Sequence, residues 1–192
     1  MTETKDTALA ESSIRIAALE RSAKLDAARA GFDCGVEPLN RYFKELVTQD
    51  VSRKLASCFV ATDLSLGASS GLSSQLSNQL SNITPLGFYT LSSASVSMQD
   101  LPSALTKKLP RYPSVPAVRL GRLAVSVQAQ GRGLGSILLI DALERTQRSD
   151  IAAYAMVVDA KDEAAAQFYE HFGFAHLTQG GGFPCMLFLR LK

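Results

Sequence analysis

Apolar residues recur along this chain with two periods, and the switching between them predicts its elements. Residues 13–20 place Ile14, Ile16 and Ala18 at alternate positions, which predicts a first strand. Phe32-Asp33-Cys34-Gly35 followed by Val36-Glu37-Pro38-Leu39 reads as a turn entering a helix. That helix is expected over residues 37–54, with Leu39, Phe43, Leu46 and Val47 on its buried stripe. Residues 57–61 read as a buried strand, and residues 86–96, rich in aromatic and hydroxyl side chains, as another. Pro102, Pro110, Pro113 and Pro116 restrict residues 101–116 to a loop or a short helix. Residues 117–125 predict a central strand. Residues 133–148 predict a helix, with Leu134, Ile137, Leu138 and Leu143 at helical spacing and Arg145 and Arg148 near its negative end. A buried strand over 152–159, a helix over 162–171 and a closing strand over 185–191 follow. Strands first, then strand–helix–strand–helix–strand, predict an α/β fold: a mixed central β-sheet flanked by crossover helices.

Nothing in the pattern divides the 192 residues, so one domain is expected over residues 1–192. Residues 1–12 are polar and read as a frayed tail without the character of a secretory signal. Residues 64–83 are dominated by Ser, Asn, Gln, Gly and Leu and read as a flexible hairpin insertion with no assigned chemistry. At 46% hydrophobic and 20% charged residues, the composition is that of an ordinary soluble domain. The longest aliphatic run, residues 137–140, is far too short to cross a bilayer, so no membrane role is expected. Cys34, Cys58 and Cys185 lie far apart with no CxxC pair, which argues against a disulfide framework and a metal site and for the cytoplasm.

Charge changes the picture more. The chain is +2 overall, yet residues 101–140 contain no Asp or Glu and carry Lys107, Lys108, Arg111, Arg119, Arg122 and Arg132. Such a segment is either a solubilising face or a surface for a polyanion, a nucleotide cofactor or a nucleic acid.

Within it, Leu123-Ala124-Val125-Ser126-Val127-Gln128-Ala129-Gln130-Gly131-Arg132-Gly133-Leu134-Gly135-Ser136 runs from a buried strand through a glycine-rich turn into a helix. Backbone N–H groups at such a helix start have no intrahelical partner, and the helix dipole adds positive potential. The result is a nest suited to a pyrophosphate, opened by Gly131, Gly133 and Gly135 and charged by Arg132. A tight turn alone would also require glycine. No Lys-Ser/Thr follows, which excludes the nucleoside-triphosphate loop, and the glycines do not follow dinucleotide GxGxxG spacing. Gln130, Gly133 and Gly135 instead meet Gln-x-x-Gly-x-Gly, which resembles the acetyl-CoA pyrophosphate motif of the GNAT (acyl-CoA N-acyltransferase) superfamily.

Downstream, Asp162, Ala165, Tyr169, Gly173 and Phe174 occupy the places of the Asn-x-x-Ala-x-x-x-Tyr helix and Gly-Phe ending of GNAT enzymes, with Asp for the usual Asn. The resemblance implies a GNAT fold. It implies acetyl-CoA held by Leu123, Ala124, Val125, residues 130–136, Asp162 and Ala165, and Tyr169 as the acid that protonates the departing thiolate. The alternative for Tyr169 is an amphipathic cap on the core, and His171 reads as a surface or helix-end residue.

Phe32-Asp33-Cys34-Gly35 with Leu39-Asn40, Gly87-Phe88-Tyr89-Thr90-Leu91, Leu109-Pro110-Arg111-Tyr112-Pro113, Val158-Asp159-Ala160-Lys161-Asp162 and Phe168 to Phe174 occur together. In combination they resemble the GNAT toxins of bacterial toxin–antitoxin modules, the TacT/AtaT type. That resemblance implies acetylation of the α-amino group of aminoacyl-tRNA, inhibition of translation, and a ribbon-helix-helix antitoxin as partner; a homodimer is the expected assembly. Residue chemistry points the same way. No acid stands in the central strand or its entering loop as a general base, and an α-amine (pKa ~7.7–8.0) needs one less than a lysine (~10.4). Lys107, Lys108, Arg111, Arg119 and Arg122 are then the candidate tRNA phosphate contacts. Acetylation of a protein N-terminus or small amine, a CoA-binding regulator without transfer activity, and a non-catalytic nucleic-acid-binding module remain as alternatives.

Overall fold

The computed structural model describes residues 14–20, 23–63, 84–107, 109–177 and 182–191; the expected tail, the 64–83 insertion and Lys108 lie outside them. Strand β1 (Ile14–Ala18) leads to helix α1 (Ala23–Ala30) and to a helical layer of α2 (Glu37–Arg41), a π turn (Tyr42–Leu46) and α3 (Val47–Ser52). Strands β2 (Ser57–Asp63) and β3 (Pro85–Ser97) follow, then a single turn α4 (Ser103–Thr106) and β4 (Ser114–Val125). The second half comprises α5 (Leu134–Gln147), β5 (Ala155–Ala160), α6 (Glu163–His171), β6 (Ala175–His176) and β7 (Cys185–Arg190).

These strands form one sheet in the order β1-β2-β3-β4-β5-β7-β6, in which only β4 and β5 are parallel. A parallel pair needs a crossover, and α5 supplies it. One face of the sheet is covered by α5 and α6 over a core containing Tyr89, Leu120, Leu138, Leu139, Val158 and Leu187. The other face carries two separate clusters. Phe32, Tyr42, Phe43, Val60, Phe88 and Ala124 lie under α1 to α3, and Val96, Leu101, Val115, Val157 and Phe188 lie at the opposite end.

The helical layer departs from the expected single α-helix. The π turn inserts one residue, which rotates the apolar stripe: Tyr42 and Phe43 turn inward, and Leu46, expected on the buried stripe, is 40% exposed. Arg29, itself buried, donates from Nη1 to the Phe43 carbonyl at 2.6 Å and pairs with Asp26, bolting α1 to the π turn. In α5 the buried stripe runs through Leu134, Leu138, Leu139, Ala142 and Thr146, leaving Ile137 40% exposed rather than buried. Strand β5 starts three residues later than the apolar run beginning at 152, and neither α1 nor the two-residue β6 was expected. Helix α5 is fixed to the sheet by Asp141, which accepts hydrogen bonds from the Tyr89 hydroxyl at 2.5 Å and Arg145 Nε at 2.7 Å.

Phe88 centres the second cluster, stacked on Phe43 at 4.3 Å and edge-on to Phe32 at 5.6 Å, with no exposed surface. Phe88→Ala is therefore expected to destabilise the fold by about 3–5 kcal/mol in urea denaturation, the range for a large buried aromatic. A cost below about 1 kcal/mol, the scale of a surface change, would show that this layer does not pack as described.

Candidate active site

The site begins with an irregularity in β4. Pairing with β3 runs Thr90 opposite Arg122 but Leu91 opposite Leu120, so Gly121 is an extra residue, a β-bulge. A Cβ at Gly121 would lie 3.2 Å from the Thr90 hydroxyl oxygen, tighter than ordinary packing. Bulges bend a strand and increase its twist. Beyond it β4 and β5 separate: their pairing ends at Leu120 with Val158, although β4 continues to Val125 and β5 to Ala160. Residues 121–125 thus have a strand partner on the β3 side only, among the described residues. An open β-edge beside a widening gap can take an extended ligand with amide groups of its own. Leu123 and Val125 turn their side chains towards the α5 core and Ala124 towards the aromatic cluster, so what these three offer the gap is backbone.

From the end of β4 the chain enters the glycine turn. Ser126 N–H bonds the Leu86 carbonyl at 2.8 Å, and Val127 N–H bonds the Asp33 carbonyl at 2.9 Å. The Gln130 side chain is a strut: Nε2 donates to the carbonyls of Cys34 and Val125, each at 3.0 Å. Its expected contact with the cofactor is therefore corrected to a supporting role, because its amide donors point at protein carbonyls. The turn that receives it is preorganised. Asp33 accepts from Gly35 N–H and Asn40 Nδ2, both at 2.8 Å, and Asn40 Oδ1 accepts from Cys34 N–H at 2.8 Å. Those two donors hold the Asp33 carboxyl below the usual carboxylate range.

Gly131 and Gly133 have φ of 73° and 78°, the left-handed region in which glycine is favoured, and a Cβ on either would meet nothing within 4 Å. No backbone hydrogen bond among the described residues takes up the N–H groups of residues 131–136, and the ladder starts with Ile137 N–H to the Gly133 carbonyl. Gly133 caps α5 with no side chain, and the first turn of the helix holds no acid. Leu134 is buried and can offer a ligand only its N–H, as can Gly135, whose Cβ would touch Phe168 at 3.8 Å. Ser136 is half-buried; Arg132 is exposed and forms no ion pair among the described residues. Together these groups form an open anion cradle at a helix start.

Helix α6 faces the same gap. Asp162, expected at the cofactor, caps the helix, accepting from Ala165 N–H at 2.8 Å; it also lies 3.7 Å from Lys161 Nζ. Ala165 packs half-buried on the core. One turn on, Tyr169 sits between Phe168 and Phe174, ring centroids 5.2 and 5.5 Å away. No group among the described residues hydrogen-bonds its hydroxyl. Burial, and secondarily the charge of Asp159, push its pKa up to about 12. It stays a proton donor.

Two of the basic residues have partners within the fold. Arg119 pairs with Asp159 across the β4–β5 divide, which corrects its expectation as a free phosphate contact: the acid lies 40 residues away on the neighbouring strand. Arg122 lies over the Tyr42 ring, 3.5 Å from its centroid, and the Tyr42 hydroxyl donates to Asp50 at 3.0 Å. Lys107 and Arg111 are exposed and make no ion pair among the described residues. The three cysteines are buried and free, with the Cys58 thiol pushed up to about 12 by burial, a state without nucleophilic use. No described helix is long and apolar enough to cross a membrane. Sequence reasoning missed Asp159 and the Asp33–Asn40–Gln130 lattice. The signal for the first was a lone acid in an apolar strand.

Comparison with known proteins bears on the fold that carries this geometry. Residues 111–183 match the family described as Acetyltransferase (GNAT) domain. A tRNA-acetylating toxin of Mycobacterium tuberculosis is 45% identical over 91 residues, 46% of this chain and 54% of that protein, so the match spans about half the length of each. AtaT, solved with acetyl-methionyl-tRNAfMet, superposes with a TM-score of 0.74 at 27% identity, covering 92% of this chain and 94% of AtaT. AtaTR bound with acetyl-CoA gives a TM-score of 0.72 at 26% identity over 93% of this chain and 94% of that one. AtaT bound to the C-terminus of its antitoxin AtaR and acetyl-CoA shares the fold at 22% identity, TM-score 0.68, over 93% and 94% of the two chains. The chain thus resembles the GNAT acetyltransferase family over residues 111–183 and shares its fold with the AtaT toxin.

Proposed function

We propose that this protein is the toxin of a toxin–antitoxin module, an acetyl-CoA-dependent N-acetyltransferase that acetylates the α-amino group of aminoacyl-tRNA and so inhibits translation. The observation that carries this reading is the coincidence at one gap of three features. Among the described residues they are a β4 edge without a strand partner, a cradle of N–H groups over residues 131–136 that no backbone carbonyl takes up, and a neutral Tyr169 hydroxyl that no group hydrogen-bonds. The resemblance to a tRNA-acetylating toxin, and to AtaT solved with acetyl-methionyl-tRNAfMet, supports the acceptor.

Acetyl-CoA, when bound, supplies the activated acetyl group as a thioester. The N–H groups of residues 131–136 and Arg132 would hold its pyrophosphate, and the open edge at Leu123, Ala124 and Val125 its extended arm. Tyr169 then delivers its proton to the sulfur as the C–S bond breaks, and is reprotonated with the proton that leaves the acceptor nitrogen. A phenol held near 12 does not ionise ahead of a thiol whose pKa is ~8.5, so transfer depends on contact with the sulfur at the moment charge develops there. Lys107 and Arg111, with Lys108 in the same run of sequence and Arg122 nearer the gap, would take tRNA phosphates. A ribbon-helix-helix antitoxin, a homodimer and a cytoplasmic setting complete the proposal.

Tyr169→Phe should lower turnover by ~10²–10⁴-fold and leave acetyl-CoA affinity unchanged; in the parent, no basic limb from this residue should appear below about pH 10. Mass spectrometry of charged tRNA incubated with acetyl-CoA tests the function itself: unmodified aminoacyl-tRNA with the parent protein would remove the reading.

Gly133→Asn tests the cradle. Asn tolerates the left-handed backbone, so the fold should survive while its side chain enters the phosphate space. Calorimetry should show acetyl-CoA affinity reduced by about tenfold or more, the loss of one charge-assisted contact. Unchanged affinity would move the pyrophosphate elsewhere. Finally, Lys107→Ala combined with Arg111→Ala should weaken binding to every tRNA alike, lowering the salt dependence by about two units of slope, with acetyl-CoA binding unaffected.

A further inference from the structure

Asp159 is the one exposed residue of β5; Ala155, Met156, Val157, Val158 and Ala160 are all buried. It is the first β5 residue past the last pairing with β4, so it stands where the gap opens. Alternation along the strand puts Val158 and Ala160 in the core under α5 and α6, and Asp159 with Val157 on the opposite face. Tyr169 comes to the gap from the α6 side. Asp159 flanks it from the other, near enough for its charge to be felt at the Tyr169 hydroxyl.

Folding does not use up this carboxylate. Its Oδ2 accepts one bond from Arg119 Nη1, and the side chain keeps 42% of its exposure. A carboxylate can accept about four hydrogen bonds, and no other donor among the described residues reaches it. An exposed, mostly unfilled carboxylate at the mouth of a transfer site calls for a cationic donor from the substrate. The acceptor nitrogen is one. An α-amine with pKa ~7.7–8.0 binds in part as the ammonium, and nitrogen gains positive charge as its bond to the acetyl carbon forms.

We propose that Asp159 receives the α-amino group of the acceptor and orients it across the gap from Tyr169, with Arg119 holding the carboxylate in place. This rests on the acetyl-transfer reading above. As the N–C bond forms and the C–S bond breaks, Tyr169 gives the sulfur a proton. The bound ammonium first gives one proton to solvent, which frees its lone pair for attack; once the N–C bond has formed the nitrogen loses a second, which restores Tyr169. The Asp159 carboxylate steadies the charge on nitrogen. Arg119 keeps the pair neutral at a distance, so the carboxylate does not repel the phosphates of an RNA acceptor end.

The test compares the parent, Asp159→Asn and Arg119→Gln in binding two tRNAs without acetyl-CoA. One is deacylated, and the other carries its amino acid through a non-hydrolysable amide link. The parent should prefer the aminoacylated form by about tenfold or more, the value of a hydrogen bond to a charged group. Asp159→Asn should lose that preference, bind deacylated tRNA and acetyl-CoA as the parent does, and show a raised KM for charged tRNA alone. Arg119→Gln breaks the same ion pair and loosens the carboxylate but leaves it present, so it should weaken the preference less than Asp159→Asn does. The proposal is overturned if Asp159→Asn keeps the preference, or if both variants lose it equally, which would make the pair merely structural. Failure of the parent to acetylate charged tRNA counts against the tRNA reading instead. Asp159 is then judged on alaninamide, where Asp159→Asn must weaken binding relative to the parent for the proposal to stand.

Discussion

Strand β4 has two neighbours for part of its length and one for the rest, and the site follows from that inequality. A strand in the middle of a sheet normally satisfies its backbone on both edges, and leaving one edge open in the interior costs hydrogen bonds. Among the described residues, part of that cost falls on residues 121–125, from the Gly121 bulge onward, where β5 has turned away. The candidate site residues lie around that short open edge. The glycine turn leaves from its end, α6 presents Tyr169 to it, and Arg119 and Asp159 face each other across its start. Restoring the pairing would stabilise the sheet and remove the site.

The opposite layer explains why the glycine turn keeps its shape without a ligand. A segment whose N–H groups point outward has few bonds to hold itself, so its support comes from outside. Asp33, Cys34 and Asn40 provide it, fixed by one another and by the Pro38-started helix α2, and they receive Val127 and Gln130. The bolt at Arg29 and the stacking of Phe43 on Phe88 hold this layer to the sheet in turn.

The strands, α5 and α6 were legible because their apolar periods are regular, and the cradle because glycine spacing speaks directly of backbone. What was not legible depends on partners distant in sequence. Arg119 looked unpaired in a segment without acids, yet its partner comes from a strand 40 residues on, brought alongside by the crossover through α5. Gln130 looked like a ligand-binding residue, yet its donors are taken by carbonyls up to 96 residues away. Leu46 was misplaced because a π turn leaves no signature in an apolar pattern; it shifts the phase only after it has formed. Asp162 read as part of a motif, and capping is what the position does.

The Gln130 strut also bears on where this domain can be cut. The family-matching stretch, residues 111–183, holds the glycine turn, α5, β5 and α6, and on sequence grounds looks sufficient to grip a nucleotide. Its turn is nevertheless suspended from carbonyls at Asp33 and Cys34, contributed by chain that precedes it by almost a hundred residues. A fragment trimmed to the motif would keep every glycine and lose the scaffold that aims their amides. The recognisable segment and the unit that can work are different lengths of chain.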